Sequence, residues 1–290
     1  MVELEDLVRF YNMKIRIISG ACFVAIITAF FLLREFVHPA FFNILIWFLC
    51  AFGTYEVVRA LKQVNSKFTS ILAFVSGIIV IPAYVVLDYF LGINALFICI
   101  SYLLITVIAY FVYSFIKYNE VSFFGLIPLV YPSVLLLCMA GANSLVYNGF
   151  IALLLIFVIS PFTDTMAYFT GMVYNKIKKG EAKKLCPKLS PKKTVAGAIG
   201  GLFGGAIGGI LVYLIFRPEI SLGVPLLVFA VIGLIASVLT QVGDLFESFI
   251  KRKVGIKDMG KIMPGHGGVM DRIDGITFAS LFIYIVFLVI

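Results

Sequence analysis

Long apolar runs alternate with short polar connectors along almost the whole chain. Most runs are about 20 residues long, the length that an α-helix needs to cross the hydrocarbon core of a bilayer. The pattern therefore predicts an all-α, polytopic membrane protein with about nine transmembrane helices. They are expected near residues 17–33, 40–58, 69–87, 93–115, 123–143, 149–171, 195–216, 222–246 and 273–290.

Composition supports this class and excludes a soluble one. The 290 residues could form one or two soluble domains by length, but 62% are hydrophobic and only 13% are charged. Four of the five cysteines lie inside apolar runs, and no spacing suggests a metal knuckle or a disulfide framework. The first apolar run is expected to be a retained helix, because no cleavage-like site follows it.

The positions of the charges predict the topology. If the N-terminus is cytoplasmic and nine helices cross the membrane, every lysine and arginine except Arg34 and Arg217 falls on the cytoplasmic side. The excess of basic residues behind the net charge of +8 is then explained by the orientation of the protein in the membrane, and no nucleic-acid partner is expected.

Polar side chains are concentrated in the C-terminal half. Residues 1–150, with about five helices, are predicted to be a transmembrane scaffold region in which Glu56 has no assignable partner. Residues 151–290 contain about four helices and two basic cytoplasmic loops, and are predicted to be the catalytic region.

The end of the eighth span carries GDLFESFIKR, residues 243–252. Asp244, Glu247, Ser248 and Lys251 are spaced to share one helix face, with Arg252 beside them. A carboxylate at membrane depth usually faces a cavity or a partner. The alternative is a helix end that emerges into water, with its acids paired to Lys251 and Arg252.

The stretch PGHGGVMDRIDG, residues 264–275, leads into the last span. Its glycines, including Gly267 and Gly268, allow the backbone to approach a ligand closely. Asp271 and Asp274 lie three residues apart, and ordinary helix capping is one explanation for them. Hard oxygen ligands on two helix ends are also what Mg²⁺ prefers, so we expect a metal site at Asp244, Asp271 and Asp274. His266 would orient phosphate or metal-bound water.

SPKKT, residues 190–194, is predicted to open the seventh span, with Ser190 as N-cap and Pro191 in the first turn. Lys192, Lys193 and Thr194 would then surround backbone N–H groups that suit a polyphosphate. Anchoring to anionic lipid is the alternative for the lysines.

The sixth and seventh spans carry two further signals. Asp164 and Tyr168 lie one turn apart in the sixth, where an ionisable residue is a functional candidate, although Asp164 could instead neutralise a lysine. Glycines recur every fourth residue in GAIGGLFGGAIGG of the seventh span and predict close helix packing, within the chain or across a dimer.

The run from Ser248 to Asp274 closely resembles the signature of the CDP-diacylglycerol synthase, or phosphatidate cytidylyltransferase, family. GDLFES, SPKKT and DTMAYFTG also resemble stretches of that family, over about residues 160–290. The chain departs from the family at Met263, and at Val195-Ala196, where a Trp-Glu pair is common.

The resemblance implies a reaction of CTP with phosphatidate that gives CDP-diacylglycerol and pyrophosphate at the cytoplasmic face of the cytoplasmic membrane. It implies Mg²⁺, held by residues matching Asp244 and Asp271, with K⁺ as a possible second cation, in a homodimer. The candidates for binding phosphates are Lys192, Lys193, Lys251, Arg252 and Arg272.

Two other classes of protein share part of this pattern. An ion-coupled transporter would use the intramembrane acids as relay groups but is expected to show two related repeats, which the sequence lacks. A lipid kinase that uses CTP would share the nucleotide chemistry and release CDP.

Overall fold

The computed structural model describes residues 2–146, 148–219 and 224–290, with side chains described from residue 13 onward. Within those ranges the chain forms ten helices and one two-stranded antiparallel hairpin. The helices are α1 Val2–Phe36, α2 Ala40–Ala60, α3 Lys67–Leu91, α4 Asn94–Tyr118, α5 Phe123–Val130, α6 Ser133–Asn143, α7 Gly149–Ile177, α8 Val195–Phe216, α9 Pro225–Lys253 and α10 Met270–Phe287; the strands are β1 Lys184–Cys186 and β2 Ser190–Thr194.

The predicted class is confirmed, because the protein is an all-α, polytopic integral membrane protein. Eight helical segments in the described part of the chain are long and apolar enough to cross a membrane. The fifth consists of α5 and α6, which are separated at Tyr131 and Pro132 because proline lacks an N–H and disfavours helical geometry in the residue before it. The ninth predicted span corresponds to α10, which carries Asp271, Arg272 and Asp274 within its 18 residues and is not among the eight.

The chain divides into two compact units, which are described separately. The first unit comprises Met1–Leu137 and Val254–Ile273, and the second comprises Cys138–Lys253 and Asp274–Ile290. We call residues 254–269, between α9 and α10, the signature loop; it belongs to the first unit. The predicted functional division near residue 150 is not tested by this grouping and stays a prediction.

In the second unit, α8 packs closely against both α7 and α9 through its glycines. A Cβ on Gly204 would lie 2.5 Å from the carbonyl oxygen of Phe162 in α7, and one on Gly205 would lie 2.5 Å from that of Gly233 in α9. Side chains at these positions would push the helices apart. The predicted packing role of the glycine stripe is therefore confirmed, and it operates within the chain.

The first unit has a buried core on α2 and a lightly packed α1. Phe42, Ile46 and Val57 of α2 are fully buried. In contrast, the apolar part of α1, Met13–Phe36, has no buried residue in its most hydrophobic window. An apolar helix with so little protein contact is expected to face lipid.

The start of the seventh span differs from the prediction. Ser190 is not a helix N-cap and Pro191 is not in a first helical turn, because SPKKT forms β2 and pairs with β1. The cap of α8 is Thr194, whose Oγ1 accepts a hydrogen bond from Gly197 N at 3.0 Å. Lys192 and Lys193 therefore lie on a strand. Their positive charges are not in the first turn of α8, where the positive end of the helix dipole would repel them.

Candidate active site

A cavity of about 500 Å³ lies in the second unit between α7, the hairpin and α9. We call it the hairpin cavity. Its polar lining comprises Asp164, Tyr168 and Asn175 from α7, Lys184, Lys192, Lys193 and Thr194 from the hairpin, and Gln241 and Asp244 from α9. Its size is in the range of small-molecule sites, and its lysines and carboxylates suit a charged ligand.

Lys193 forms an ion pair with Asp244 in the wall of this cavity. The ammonium group of Lys193 contacts Oδ2 of Asp244, and each side chain is about 30% exposed, at 29% and 30%. The hydroxyl of Ser248, one turn later on α9, donates to Oδ1 of Asp244 at 3.4 Å. The pair therefore brings a cation from the hairpin to the carboxylate that the sequence predicted as a metal ligand.

A second ion pair lies one turn further along α9. The carboxylate of Glu247 is fully buried and accepts a hydrogen bond of 2.7 Å from Lys251, which is 12% exposed. Asp274 interacts electrostatically with both Glu247 and Asp244. Glu247 therefore pairs with Lys251, as in the alternative expected from sequence, but its carboxylate is buried and not exposed to water.

The other predicted residues of the second unit have more varied positions. Arg252 lies near the hairpin turn, with Nε 3.5 Å from the carbonyl oxygen of Leu189. Ser190 pairs with Cys186 in the hairpin. Tyr168 lines the hairpin cavity and is 66% exposed, and Thr194 lines it while capping α8.

In the first unit, Asp271 holds the signature loop against the start of α10. Its Oδ2 accepts hydrogen bonds from the backbone N–H groups of Met259 and Gly268, both at 2.8 Å. Gly267 has a φ of +90°, and a Cβ there would lie 2.8 Å from the same oxygen. The glycines predicted to allow close backbone approach therefore approach Asp271.

Glu56, to which the sequence assigns no partner, has one in the first unit. Its carboxylate is fully buried, and Oε2 accepts a hydrogen bond from Met270 N at 2.9 Å. A Cβ on Gly260 or Gly268 would overlap this carboxylate. The sequence signal for this interaction is an acidic residue within an apolar run, because such a residue usually pairs with another polar group.

A second cavity, of about 700 Å³, lies between the signature loop and α1 of the first unit. We call it the loop cavity. Its charged or titratable lining consists of Arg16, Lys257, Asp258, Lys261, His266 and Arg272, and Gly267 also lines it. Burial and the positive charges of Arg272 and Arg16 lower the pKa of His266, so the imidazole is neutral at pH 7.

The acidic groups are chemically suited to Mg²⁺. In the described part of the chain no three His, Cys, Asp or Glu side chains are grouped as a complete metal site. However, Mg²⁺ commonly uses one or two carboxylates and takes its remaining ligands from water and substrate phosphates. Asp244 and Asp274 offer hard oxygens that interact electrostatically, and the Lys193 ammonium already places one cation at Asp244. The Mg²⁺ and K⁺ stay predictions.

Comparison with known proteins identifies the family of the chain. The model of the cytidylyltransferase family matches residues 14–290. The chain belongs to that family. The match also includes most of the N-terminal half, which the sequence resemblance did not reach.

Proteins named phosphatidate cytidylyltransferase share shorter stretches with the chain. That of Brucella abortus strain 2308 is 40% identical over 137 residues, 47% of each chain. That of Helicobacter pylori strain 26695 is 69% identical over 39 residues, 13% of this chain and 15% of the relative. The Mycobacterium tuberculosis protein is 51% identical over 57 residues, 20% of this chain and 17% of the relative. The matches thus span less than half the length of these curated relatives.

Proposed function

We propose that the protein transfers CMP from CTP to phosphatidate, giving CDP-diacylglycerol and pyrophosphate. The Lys193–Asp244 pair in the hairpin cavity, in a chain of the cytidylyltransferase family, carries the proposal. Lysines next to a carboxylate suit a site that receives both a polyphosphate and its cation.

The reaction needs no serine or cysteine nucleophile. A phosphate oxygen of the lipid forms a bond to the α-phosphorus of CTP, while the bond from that phosphorus to the bridging oxygen breaks and pyrophosphate leaves with its electrons. Both reactants are anions, so the obstacle is charge repulsion. The residues must therefore neutralise charge and hold the attacking and leaving groups in line.

We assign the triphosphate to the hairpin cavity. Lys192 and Lys193 are placed on β2, whose pairing with β1 fixes the strand at the cavity wall. When a triphosphate enters, Lys193 would exchange its contact with Asp244 for a phosphate oxygen. Tyr168 and Asp164 line the same cavity and would contact the rest of the nucleotide.

Asp244, Asp271 and Asp274 would hold Mg²⁺, with K⁺ as a second cation. The ion would supply charge neutralisation at the transferring phosphate and the leaving group. Asp271 is held by two backbone N–H groups, which fix its carboxylate for such a role. His266, Gly267, Gly268 and Arg272 belong to or follow the signature loop and would serve the lipid phosphate. We further propose that the site faces the cytoplasm and that the enzyme is a homodimer.

The test is a turnover assay with the purified full-length chain in detergent. Radiolabelled CTP, phosphatidate and Mg²⁺ should yield a lipid-linked CMP and pyrophosphate. Asp244→Asn and Asp271→Asn should each lower kcat by at least about 100-fold, since each removes a charge from the reacting centre. Asp88→Asn, at the end of α3, is the matched control and should leave kcat unchanged.

The Lys192→Ala variant tests whether this lysine binds the nucleotide or the lipid. Its KM for CTP should rise while its KM for phosphatidate stays close to that of the unmodified protein. Lys188→Ala removes an exposed charge from the hairpin turn and serves as control. If the unmodified chain forms no labelled lipid, or releases CDP, the proposed reaction is wrong.

A further inference from the structure

The loop cavity has an excess of positive charge that the proposed nucleotide site does not use. Four cationic side chains line it, against the single carboxylate of Asp258 and a neutral imidazole. The four are Arg16, Lys257, Lys261 and Arg272. A cavity of this charge favours a multiply charged anion.

The wall of the cavity is built from contacts between α1 and the signature loop. The hydroxyl of Ser19 lies 2.7 Å from Nδ1 of His266 and donates to the carbonyl oxygen of Pro264 at 3.0 Å. Gly265 has a φ of +74°, and a Cβ there would lie 2.9 Å from Cγ of Arg16. The chain therefore brings Arg16 directly against the loop.

Arg272 is held against the same turn by hydrogen bonds. Its Nε and Nη2 both donate to the carbonyl oxygen of His266, at 3.1 and 2.9 Å. These bonds use two of the five N–H donors of a guanidinium, whose fork geometry matches phosphate oxygens. Burial lowers the pKa of His266, and the positive charges of Arg272 and Arg16 lower it further, so both guanidinium groups act on this imidazole.

The position of Arg16 along α1 favours a ligand with an apolar part. Arg16 lies near the start of the apolar segment Met13–Phe36, and the next two residues, Ile17 and Ile18, are 64% and 62% exposed. A polar headgroup at Arg16 could thus have its hydrocarbon chains beside α1. A soluble anion would gain nothing from that surface.

We infer that the loop cavity binds the phosphomonoester headgroup of a lipid, with Arg16 and Arg272 contacting the phosphate and the acyl chains lying along α1. The inference deepens the proposed function, on which it rests for the identity of the lipid as phosphatidate. A phosphomonoester carries close to two negative charges at pH 7, which suits a site with four cations. It also gives a residue of the N-terminal region a direct part in substrate binding.

The test measures binding without turnover. Short-chain phosphatidate is titrated into the purified full-length protein in detergent by calorimetry, with EDTA present and CTP absent. Short-chain diacylglycerol, short-chain phosphatidylcholine, inorganic phosphate and CTP are titrated in parallel. Phosphatidate should bind most tightly, because only it combines the phosphomonoester with acyl chains.

Variants locate the site. Arg16→Gln should weaken phosphatidate binding by at least about five-fold, since a charge-assisted contact is lost. Lys261→Gln, in the exposed part of the loop, should weaken it by a smaller factor. Lys62→Gln removes one exposed charge after α2, outside the cavity lining, and should change the affinity by less than about two-fold, as expected for general electrostatics.

The results that overturn the inference are distinct from failure of the proposed reaction. Equal affinities for Arg16→Gln, Lys261→Gln and Lys62→Gln would remove the site from the loop cavity. Equal, Arg16-dependent binding of inorganic phosphate or CTP would assign the cavity to a soluble anion. If Arg16→Gln does not give monodisperse protein, Lys257→Gln and Lys261→Gln carry the same comparison. If the protein binds phosphatidate through Arg16 but forms no labelled lipid from CTP, only the proposed reaction is wrong.

Discussion

Removing the carboxylate of Glu56 should loosen the signature loop. In Glu56→Ala the buried N–H of Met270 loses the oxygen that accepts its 2.9 Å hydrogen bond, at a cost of about 1–3 kcal/mol. The void left between Gly260 and Gly268 adds on the order of 1 kcal/mol, because neither glycine has a side chain to fill it. We therefore expect the contact to be weakened by about 2–4 kcal/mol.

Hydrogen exchange of backbone amides measures this loss where it occurs. If the loop opens locally, 2 kcal/mol corresponds to about thirty-fold faster exchange at Met270. The amides of Met259 and Gly268 should also exchange faster, because both donate to Asp271, which is the residue after Met270. Glu56→Gln retains the shape and one acceptor oxygen, so it should show a smaller increase. Turnover in the proposed reaction should fall in the same order.

The control is Glu120→Ala, which removes an exposed carboxylate between α4 and α5 of the same unit. It should leave exchange in the signature loop unchanged. If Met270, Gly268 and Met259 exchange at unmodified rates in Glu56→Ala, Glu56 does not hold the loop. Equal acceleration by both substitutions would point to a general loss of stability.

Two further predictions follow from α8 and from the loop cavity. Gly209→Ala should lower the melting temperature in detergent, because its Cβ would overlap the carbonyl oxygen of Phe229. Gly208→Ala is the control: its Cβ would lie at an ordinary contact distance of 3.4 Å and should change the melting temperature little. Equal effects of the two substitutions would contradict the packing role of Gly209. Arg16→Gln should raise the pKa of His266, measured by NMR titration, since it removes a positive charge that lowers that pKa. An unchanged His266 pKa would contradict that electrostatic interaction.

Local patterns predicted the helices well and failed where a residue's conformation or role depends on another segment of the chain. The spans were predictable because an apolar run of about 20 residues has few other solutions in a bilayer. The sequence prediction for SPKKT is wrong because Ser-Pro is also a common helix start, and SPKKT itself carries no sign that it pairs with Lys184–Cys186. Thr194, three residues before Gly197, was the better cap. Glu56 could be recognised as unusual, but its hydrogen-bond partner lies 214 residues further along the chain.

Four of the five glycines in the signature loop are explained by side chains from outside the loop. Gly260 and Gly268 leave room for the carboxylate of Glu56, Gly267 for that of Asp271, and Gly265 for the stem of Arg16. A loop of ordinary residues could not close around these three groups, because each would meet a Cβ. Two of the three come from the first 60 residues. Within the first unit, the N-terminal helices therefore determine the shape of the loop, and substitutions there should affect any activity that depends on it.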